Sequence, residues 1–284
     1  MSRTFDASKV RIATFDLDGT VLNNGIMSKK VEQALSALSK MGIAVTLATG
    51  RDISQIPKNV LKLFEYRITN NGSHVCSRDG KTIVDQPIDR DTTCKTIKLI
   101  RRLKGYSCIY LNGKVVATPT FLLRIISRTD FASKSHRSST KDVRKGNSII
   151  RFSLIRFLEK HNVGTYKIQS FFKNRPDAEK AAAELGSTYD VNPVLSHDIC
   201  LETMDKGVSK ANGLLELCKA LGCTAQNVIS FGDSANDLDI LKTSGYAVAM
   251  GNAESCLKQI ADQVSENVAD DGVAKAIDRL FNVR

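Results

Sequence analysis

An acidic loop directly follows a mostly apolar run near the N-terminus, and this arrangement constrains the fold more than any other feature of the chain. The run from Val10 to Phe15 is typical of a buried strand, and Asp16-Leu17-Asp18-Gly19-Thr20 comes straight after it. A second such run, Asn227 to Phe231, leads into Gly232-Asp233-Ser234-Ala235-Asn236-Asp237. Ligands of open α/β sheets bind outside the carboxyl ends of the parallel strands, so both loops are predicted to meet at one edge. Carboxylates gathered there indicate a hard cation such as Mg²⁺, which takes oxygen ligands from carboxylates and substrate phosphate.

Elsewhere the chain alternates between strand-like and helix-like segments, as a doubly wound parallel sheet requires. Between residues 85 and 195 the pattern changes to a small α+β unit, and the alternation returns after His197. We therefore predict an α/β fold with a Rossmann-like core formed by residues 1–84 and 196–284, interrupted by an inserted α+β domain of residues 85–195. In the insert, helices are predicted at Thr92 to Leu103, Pro119 to Ser127 and Pro176 to Leu185, and strands at Tyr106 to Leu111, Thr165 to Phe172 and Thr188 to Val191.

Positive charge is concentrated in the inserted region. The chain has a formal net charge of +11, and residues 85–195 hold 21 of its 41 Lys and Arg but only 10 of its 30 Asp and Glu. The remainder carries 20 residues of each sign and is formally neutral. The basic segment from Ser133 to Gly146 is predicted to be an exposed loop. Such asymmetry indicates an anionic partner or substrate, or else a solvated face with no partner.

Composition excludes several classes of protein. No apolar run approaches the length of a membrane span and the polar N-terminus lacks a signal-peptide pattern, so we expect a soluble, cytoplasmic protein with no membrane partner. The seven cysteines are scattered without a Cys-x-x-Cys pair and the four histidines are isolated, which favours buried reduced thiols over a zinc site. Nothing in the sequence specifies an oligomeric state.

A nucleic-acid-binding module is the remote alternative that the basic segment from Lys134 to Lys145 raises. Basic charge by itself gives only salt-sensitive, nonspecific attraction to phosphate backbones. No aromatic residue lies between Phe131 and Phe152 to stack on a base, and the chain shows no recognition motif. Nucleic acid is therefore not the expected partner.

The acidic pair Asp16 and Asp18 suits phosphoryl transfer. The Asp16 carboxylate can attack phosphorus and give an aspartyl phosphate, which divides one difficult step into two easier ones. Asp18 faces the same way if the chain is still extended, and there it can protonate the leaving oxygen and later deprotonate water. Gly19 permits a sharp turn after the pair. An acidic pair before glycine is also common in ordinary turns and helix caps, so the pair alone does not decide the function.

Two further segments supply groups for an anion. Thr49-Gly50-Arg51 follows a predicted strand and precedes a helix, so its hydroxyl and N–H groups can bind phosphate, although an ordinary helix start has the same pattern. Lys210 occupies the first turn of a helix predicted to begin after Ser209, where the helix dipole disfavours a cation by a few tenths to about 1 kcal/mol. A lysine there needs an anion such as bound phosphate, unless its side chain is simply solvated. The nearby Lys206 is expected in a surface turn.

The downstream loop and one further turn complete the set of candidate residues. Asp233 and Asp237 add carboxylates to the predicted oxygen cluster, and Asn236 lies between them as a polar contact. Each aspartate could instead cap the helix that follows. Asn71, in the turn Asn70-Asn71-Gly72, is predicted either to contact substrate or to serve only the turn.

These motifs occur in an order that a known superfamily shares. Asp16 to Thr20, Thr49 to Arg51, Lys210 and Gly232 to Asp237 resemble, in sequence, the four motifs of the haloacid dehalogenase (HAD) superfamily. Asn70-Asn71-Gly72, the large insertion after the third strand and Asp270-Asp271-Gly272-Val273 resemble its Cof-type branch, subfamily IIB, whose members carry an inserted α/β cap. The resemblance covers about residues 9–84 and 197–282, while the cap is identified by its position only.

The resemblance implies a Mg²⁺-dependent phosphatase in which Asp16 is the nucleophile and Asp18 is the general acid and base. Thr49, Gly50 and Lys210 would hold the phosphoryl oxygens, and the cap would determine substrate specificity. The implied metal ligands are the Asp16 side chain, the Asp18 carbonyl, Asp233 and Asp237, and the implied substrate contacts are Arg51, Asn71 and Asn236. An acid at position 18 argues against dehalogenation, in which no leaving alkoxide has to be protonated. Ala211 departs from the family pattern, where glycine usually follows the motif lysine.

The expected substrate is a small phosphorylated metabolite, namely a sugar phosphate, a nucleotide or a flavin-precursor phosphate. The nearest enzyme alternative is a sugar phosphomutase of the phosphomannomutase type, whose motifs are the same. A mutase has to rebind a bisphosphate in the reversed orientation and so needs a second phosphate site in its cap. The basic composition of the inserted region leaves that alternative open.

Overall fold

The computed structural model of the chain describes residues 4–111, 113–127, 148–197 and 199–283. Within these residues the chain forms two compact units. The first, here called the core unit, consists of the described parts of Met1–Arg51, Ile56–Asp85 and Ser209–Arg284, and the second, the inserted unit, of those of Asp52–Gln55 and Gln86–Val208.

The described residues contain fourteen strands and ten α-helices. The strands are β1 (Ile12–Phe15), β2 (Ala44–Ala48), β3 (Tyr66–Thr69), β4 (His74–Ser77), β5 (Thr82–Asp85), β6 (Tyr106–Leu111), β7 (Lys114–Ala117), β8 (Ser148–Ile150), β9 (Lys167–Phe171), β10 (Val191–His197), β11 (Cys200–Asp205), β12 (Val228–Gly232), β13 (Tyr246–Ala249) and β14 (Gln263–Val264). The helices are α1 (Lys29–Lys40), α2 (Lys58–Leu61), α3 (Arg90–Arg102), α4 (Pro119–Ser127), α5 (Leu154–His161), α6 (Arg175–Thr188), α7 (Lys210–Ala220), α8 (Leu238–Thr243), α9 (Ser255–Ile260) and α10 (Gly272–Phe281).

The core unit is built on an eight-stranded sheet of order β14-β13-β12-β1-β2-β3-β4-β5. The strands from β14 to β3 run parallel, and β3, β4 and β5 form an antiparallel edge. Every residue of β1 and of β12 is buried, as expected for parallel strands that are covered on both faces. The central position of these two strands brings the loops that follow them to one edge of the sheet.

Amphipathic helices cover this sheet. α1 begins after Ser28, whose Oγ accepts the Val31 N–H at 3.2 Å, and its buried residues Leu35 and Leu38 belong to the main apolar cluster of the unit. α10 packs against α1. Asp271 occupies the N-cap position of α10 with a φ of 58° and makes no capping hydrogen bond through its side chain.

The inserted unit has its own sheet, of order β10-β11-β9-β6-β7-β8. Its neighbouring strands are antiparallel except for β7 and β8. One face carries Ile168 in a buried cluster with Leu158 of α5 and Leu185 of α6, while Tyr106 and Phe171 of the other face pack with an aromatic residue of α4. A parallel core sheet with a second, inserted sheet confirms the predicted α/β fold class.

The insert is also where the predicted elements fail. The strand predicted at Thr188 to Val191 is wrong, because α6 continues to Thr188 and β10 begins only at Val191. The Tyr189 N–H donates to the Leu185 carbonyl at 3.0 Å, which closes the last turn of the longer helix. β7, β8 and α5 were not predicted, since each is short. The predicted basic loop of residues 133–146 lies outside the described residues. No helix in the described ranges is both long and apolar enough to cross a membrane.

Candidate active site

Asp16 and Asp233 lie at the ends of two adjacent parallel strands. β1 and β12 pair with Phe15 beside Phe231, and the Asp16 N–H donates to the Phe231 carbonyl at 3.0 Å. The two phenylalanine rings stack with centroids 4.7 Å apart, which stabilises this register. Asp16 follows β1 and Asp233 follows β12 without an intervening residue. The core unit thus brings the two acidic loops together at one edge of the sheet.

Lys210 lies between two carboxylates of this cluster. Its Nζ is 2.7 Å from Asp16 Oδ1 and 2.6 Å from Asp237 Oδ1, and its side chain is only 1% exposed. Lys210 is the first residue of α7, which Ser209 caps. A cation at a helix start needs an anion beside it, and here two aspartates supply it. Lys206, by contrast, is exposed and pairs with an exposed aspartate of the inserted unit.

Burial changes the ionisation of the cluster. Removal from water raises the pKa of Asp16 well above its usual value, although Lys210 opposes the change. Burial and then the charge of Asp237 raise the pKa of Asp233 to about 7. For Lys210, burial would lower the pKa, but Asp16 and Asp237 outweigh it and raise the pKa instead, so the side chain stays an ammonium ion. Protons or a metal ion therefore bind readily among these carboxylates.

Gly19 and Thr20 bring the first acidic loop onto the second. Gly19 has a φ of +88°, and a Cβ at this position would overlap the Asp233 carboxylate. Thr20 Oγ1 donates a hydrogen bond to Asp233 Oδ1 at 2.9 Å. Gly19 therefore serves the predicted turn and also the close approach of two loops that are distant in sequence.

The segment Thr49-Gly50-Arg51 follows β2 at the same edge. Thr49 is buried, and its Oγ1 accepts the Arg51 N–H at 3.1 Å. The Arg51 guanidinium makes a two-pronged ion pair with Asp18, with Nε 2.6 Å from Oδ2 and Nη2 2.7 Å from Oδ1. Arg51 is thus joined to the predicted acid and base, and its contact with substrate stays a prediction.

The turn after β3 lies against α7. Asn70 and Asn71 both have left-handed backbone conformations, with φ of 50° and 57°. Gly72, with a φ of +104°, lies so close to the Ser209 carbonyl that a Cβ would overlap it. Asn236 Nδ2 donates to Asn71 Oδ1 at 3.5 Å, the outer limit of a hydrogen bond. Two of the three residues predicted to contact substrate, Asn71 and Asn236, therefore adjoin each other.

Two residues that follow β13 also join these loops, although they belong to none of the sequence motifs. Asn252 Nδ2 donates to the Gly19 carbonyl at 2.9 Å. Glu254 Oε1 accepts the Ala235 N–H at 3.1 Å, and the Glu254 N–H donates to the Asp233 carbonyl at 3.0 Å. Their position offered a signal, because polar residues follow β13 as they follow β1 and β12.

Three carboxylates of the core unit can hold a metal ion together. Among the described residues, Asp16, Asp233 and Asp237 each offer one oxygen, and these oxygens lie within 4.8 Å of one another. Asp237 Oδ2 accepts the backbone N–H groups of Asp233 and Ser234 at 3.1 and 3.2 Å, which orients its carboxylate. A set of oxygen donors alone fits a hard divalent cation such as Mg²⁺.

Comparison with known sequences supplies the family. The profile of the haloacid dehalogenase-like hydrolases matches residues 13–277. The chain is 25% identical over 277 residues to the 5-amino-6-(5-phospho-D-ribitylamino)uracil phosphatase YcsE of Bacillus subtilis, with 94% of each chain covered. It is 27% identical over 280 residues to a longer protein of Streptococcus pyogenes; the match covers 97% of this chain and 55% of that protein, so the chain spans about half of its length.

Comparison with solved structures agrees with the fold. The structure of a sugar phosphatase of HAD subclass IIB superposes with a TM-score of 0.77 at 20% identity, covering 96% of this chain and 100% of the other. The predicted superfamily and branch are therefore confirmed. The chain belongs to the haloacid dehalogenase-like hydrolases and, within them, to the Cof-type phosphatases of subfamily IIB.

Proposed function

We propose that this phosphatase hydrolyses a small phosphorylated metabolite with Mg²⁺, through an aspartyl phosphate on Asp16. The observation that carries the proposal is the buried ammonium of Lys210, 2.7 Å from the Asp16 carboxylate. It provides a positive charge beside the candidate nucleophile, where the phosphoryl oxygens would lie. An ordinary turn or helix cap, the alternative for the acidic pair, gives no reason for a lysine in that position.

The charge balance supports a divalent cation in this site. The carboxyl groups of Asp16, Asp233 and Asp237 outnumber the single ammonium of Lys210, and their negative charge opposes the approach of a phosphate dianion. Mg²⁺ held by these carboxylates would offset that excess and polarise the phosphoryl oxygens. The Asp18 carbonyl is a further ligand that the family resemblance implies.

Asp16 and Asp18 would have different roles in the two steps of the reaction. In the first step an Asp16 oxygen forms a bond to phosphorus, the bond to the leaving oxygen breaks, and Asp18 gives that oxygen a proton. In the second step water attacks phosphorus, Asp18 takes a proton from that water, and the bond from Asp16 to phosphorus breaks to release phosphate. Lys210, the Thr49 hydroxyl and the Gly50 N–H would hold the phosphoryl oxygens during both steps.

The inserted unit would act as the cap that selects the substrate. Residues 85–195 contain the whole cationic excess of the chain, which favours a substrate with more negative charge than one phosphomonoester. By their names, the relative YcsE acts on a phosphorylated ribitylaminouracil and the structural neighbour is a sugar phosphatase. The substrate class proposed is a sugar phosphate, a nucleotide or a flavin-precursor phosphate, and within that class the charge of residues 85–195 favours members with more than one anionic group.

Phosphate release from a panel of phosphorylated metabolites tests this proposal. With Mg²⁺ the wild-type protein is expected to hydrolyse at least one of them, and EDTA or Asp16→Asn should abolish release while the variant keeps a cooperative melting transition. Lys210→Ala should lower kcat and kcat/KM together by about 100- to 1000-fold, since it removes a contact made in the transition state. The matched variant Lys206→Ala should change neither. Full activity of Asp16→Asn, or equal losses in the two lysine variants, would contradict the proposal.

A further inference from the structure

The ion pair between Arg51 and Asp18 is a contact that the proposed chemistry does not use. Its two hydrogen bonds, of 2.6 and 2.7 Å, join both carboxylate oxygens to two nitrogens of the same guanidinium. Such a fork fixes the plane of the carboxylate as well as its position. A single-pronged pair would leave the carboxylate free to rotate.

The backbone of Arg51 is held firmly at the sheet edge. Its N–H donates to Thr49 Oγ1 at 3.1 Å, and its carbonyl accepts the Asn70 N–H at 3.0 Å. The Thr49 N–H in turn donates to the Ile68 carbonyl of β3 at 2.9 Å. The guanidinium therefore extends from a backbone that two neighbouring strands fix.

Asp18 is held less firmly by its surroundings. Its side chain is 49% exposed, in the loop that turns at Gly19. Within the part of the chain that the structure describes, the guanidinium of Arg51 supplies the side-chain hydrogen bonds of Asp18. A half-exposed carboxylate without such partners exchanges among rotamers. An ion pair this exposed contributes little to stability, so orientation of Asp18 is the effect that the geometry explains.

We propose that Arg51 is a positioning residue for Asp18, which holds the carboxylate in the orientation needed for proton transfer, and not a contact to substrate. This inference rests on the proposed function. A general acid has to lie within hydrogen-bond reach of the leaving oxygen, about 2.6 to 3.2 Å. The fork uses one lone pair of each carboxylate oxygen and leaves another free for the proton. Asp18 can thus give and take a proton while Arg51 keeps its plane fixed.

Phenyl phosphate and 4-nitrophenyl phosphate test the inference, because phenolate is the more basic leaving group and depends more on a proton donor. Arg51→Gln is expected to lower kcat/KM for phenyl phosphate by about 10- to 100-fold, as loss of an orienting partner does, and for 4-nitrophenyl phosphate by less than about threefold. Arg279→Gln is the matched control, since it removes a two-pronged pair with Glu266, of 2.7 and 3.0 Å, and neither residue belongs to an acidic loop. It should change neither value. Equal losses for the two esters in Arg51→Gln would overturn the inference, because they would mean that Arg51 contacts the phosphoryl group.

A double-mutant cycle separates action through Asp18 from any direct role. In protein that already carries Asp18→Asn, adding Arg51→Gln is expected to change kcat/KM for phenyl phosphate by less than about twofold. A loss in that background as large as in the wild type would overturn the inference, because Arg51 would then act without Asp18.

Failure of the proposed function would give a different result, in which wild-type protein with Mg²⁺ releases phosphate from neither ester. A crystal structure of the Arg51→Gln variant tests the positioning role even then. Asp18 is expected in more than one rotamer or in a new one, and a single unchanged rotamer would overturn the inference.

Discussion

Three charged side chains at the end of β1 lie almost entirely out of water. Lys210 and Asp237 are each 1% exposed and Asp16 is 8% exposed, so each needs a partner to offset the cost of burial. Removing one member would leave an uncompensated buried charge, while the intact cluster contributes little net stability. Phosphate chemistry gives a reason for burying charge here that stability does not.

Proton binding at Asp233 should make the response to Mg²⁺ depend on pH. The pKa of Asp233 is raised from 3.8 to about 7 by burial and by Asp237, so the folded metal-free protein binds more protons than the unfolded chain between about pH 4 and 7. Its free energy of unfolding should therefore fall as the pH rises through that window. Mg²⁺ competes with the proton, so it should raise the melting temperature more at pH 7.5 than at pH 5.5.

Calorimetric scans with and without Mg²⁺ at the two pH values measure this effect. Asp233→Asn is the control, because it removes the titrating group and should reduce the pH dependence. An equal rise in melting temperature with Mg²⁺ at both pH values would contradict the raised pKa of Asp233.

Gly19 and Gly25 offer a matched pair of substitutions. Both have positive φ, +88° and +84°, so alanine should cost each about 1 to 2 kcal/mol of backbone strain. At Gly25 a Cβ meets nothing within 4 Å, whereas at Gly19 it displaces the Asp233 carboxylate. Gly19→Ala is therefore expected to weaken Mg²⁺ binding by about 10- to 100-fold, and Gly25→Ala to leave it unchanged. Titration calorimetry measures both, and equal affinities would mean that the loops do not need this close approach.

Among the helices and strands, α7 contributes most to the candidate site because its first turn carries Lys210. The helix packs on the turn after β3 through glycines on both sides: a Cβ on Gly213 would lie 2.9 Å from Ile68 Cγ2 and 3.2 Å from the Gly72 Cα. Ala211 stands where the family pattern has glycine, and in this chain Gly213 and Gly72 provide the close contact. The placement of Lys210 thus depends on these glycines, which have no side chain to keep the two backbones apart.

Alanine substitution at two helical glycines should change the free energy of unfolding in opposite directions. Gly186 in α6 has only ordinary contacts, the nearest at 3.5 Å, so Gly186→Ala should raise the free energy of unfolding by about 0.5 to 1 kcal/mol through helix propensity. Gly213→Ala gains the same propensity but overpacks the contact with Ile68, and should destabilise by about 1 to 3 kcal/mol. Urea unfolding followed by circular dichroism measures both midpoints. Stabilisation by Gly213→Ala would show that α7 can move away without cost.

At the scale of the whole molecule, charge is divided unevenly between a formally neutral remainder and the basic residues 85–195. Such a distribution attracts anions over distances of about the Debye length, about 8 to 10 Å at moderate salt. It acts on encounter with substrate and does not explain the fold.

Salt should therefore slow the capture of substrate. Between about 0.05 and 0.5 M ionic strength, kcat/KM for the best substrate is expected to fall by about tenfold while kcat changes little. If the segment faces the substrate, reversing charge at Lys134, Arg137 and Lys141 should flatten that dependence, whereas reversing Lys29 and Lys40 on α1 of the core unit should not. Steady-state kinetics over a salt series measure both. A best substrate that is a singly phosphorylated neutral sugar, with no salt effect, would refute steering and leave the phosphatase assignment intact.

Sequence was sufficient for most of the core and failed mainly in the insert. β1 and β12 could be predicted because each is a short apolar run, and the start of α7 could be predicted because Ser209 is a clear cap. In the insert, α5 and β7 depend on partners elsewhere in the chain to bury their few apolar residues, so local pattern is weak there. Asn252 could not be predicted for the same reason, because its role depends on a hydrogen bond to the Gly19 carbonyl, which is distant in sequence.

The sequence by itself determined the family, the order of its four motifs and the strands that those motifs follow, because these depend on local pattern and on spacing along the chain. Only the tertiary structure decided that Lys210 lies between Asp16 and Asp237, and that the Arg51 guanidinium donates two hydrogen bonds to the Asp18 carboxylate. Such contacts join side chains that are up to 194 residues apart, and their distances depend on strand register and on the packing of α7. Neither the strand register nor the packing of α7 can be predicted from a local stretch of sequence, because both arise only when the whole sheet forms.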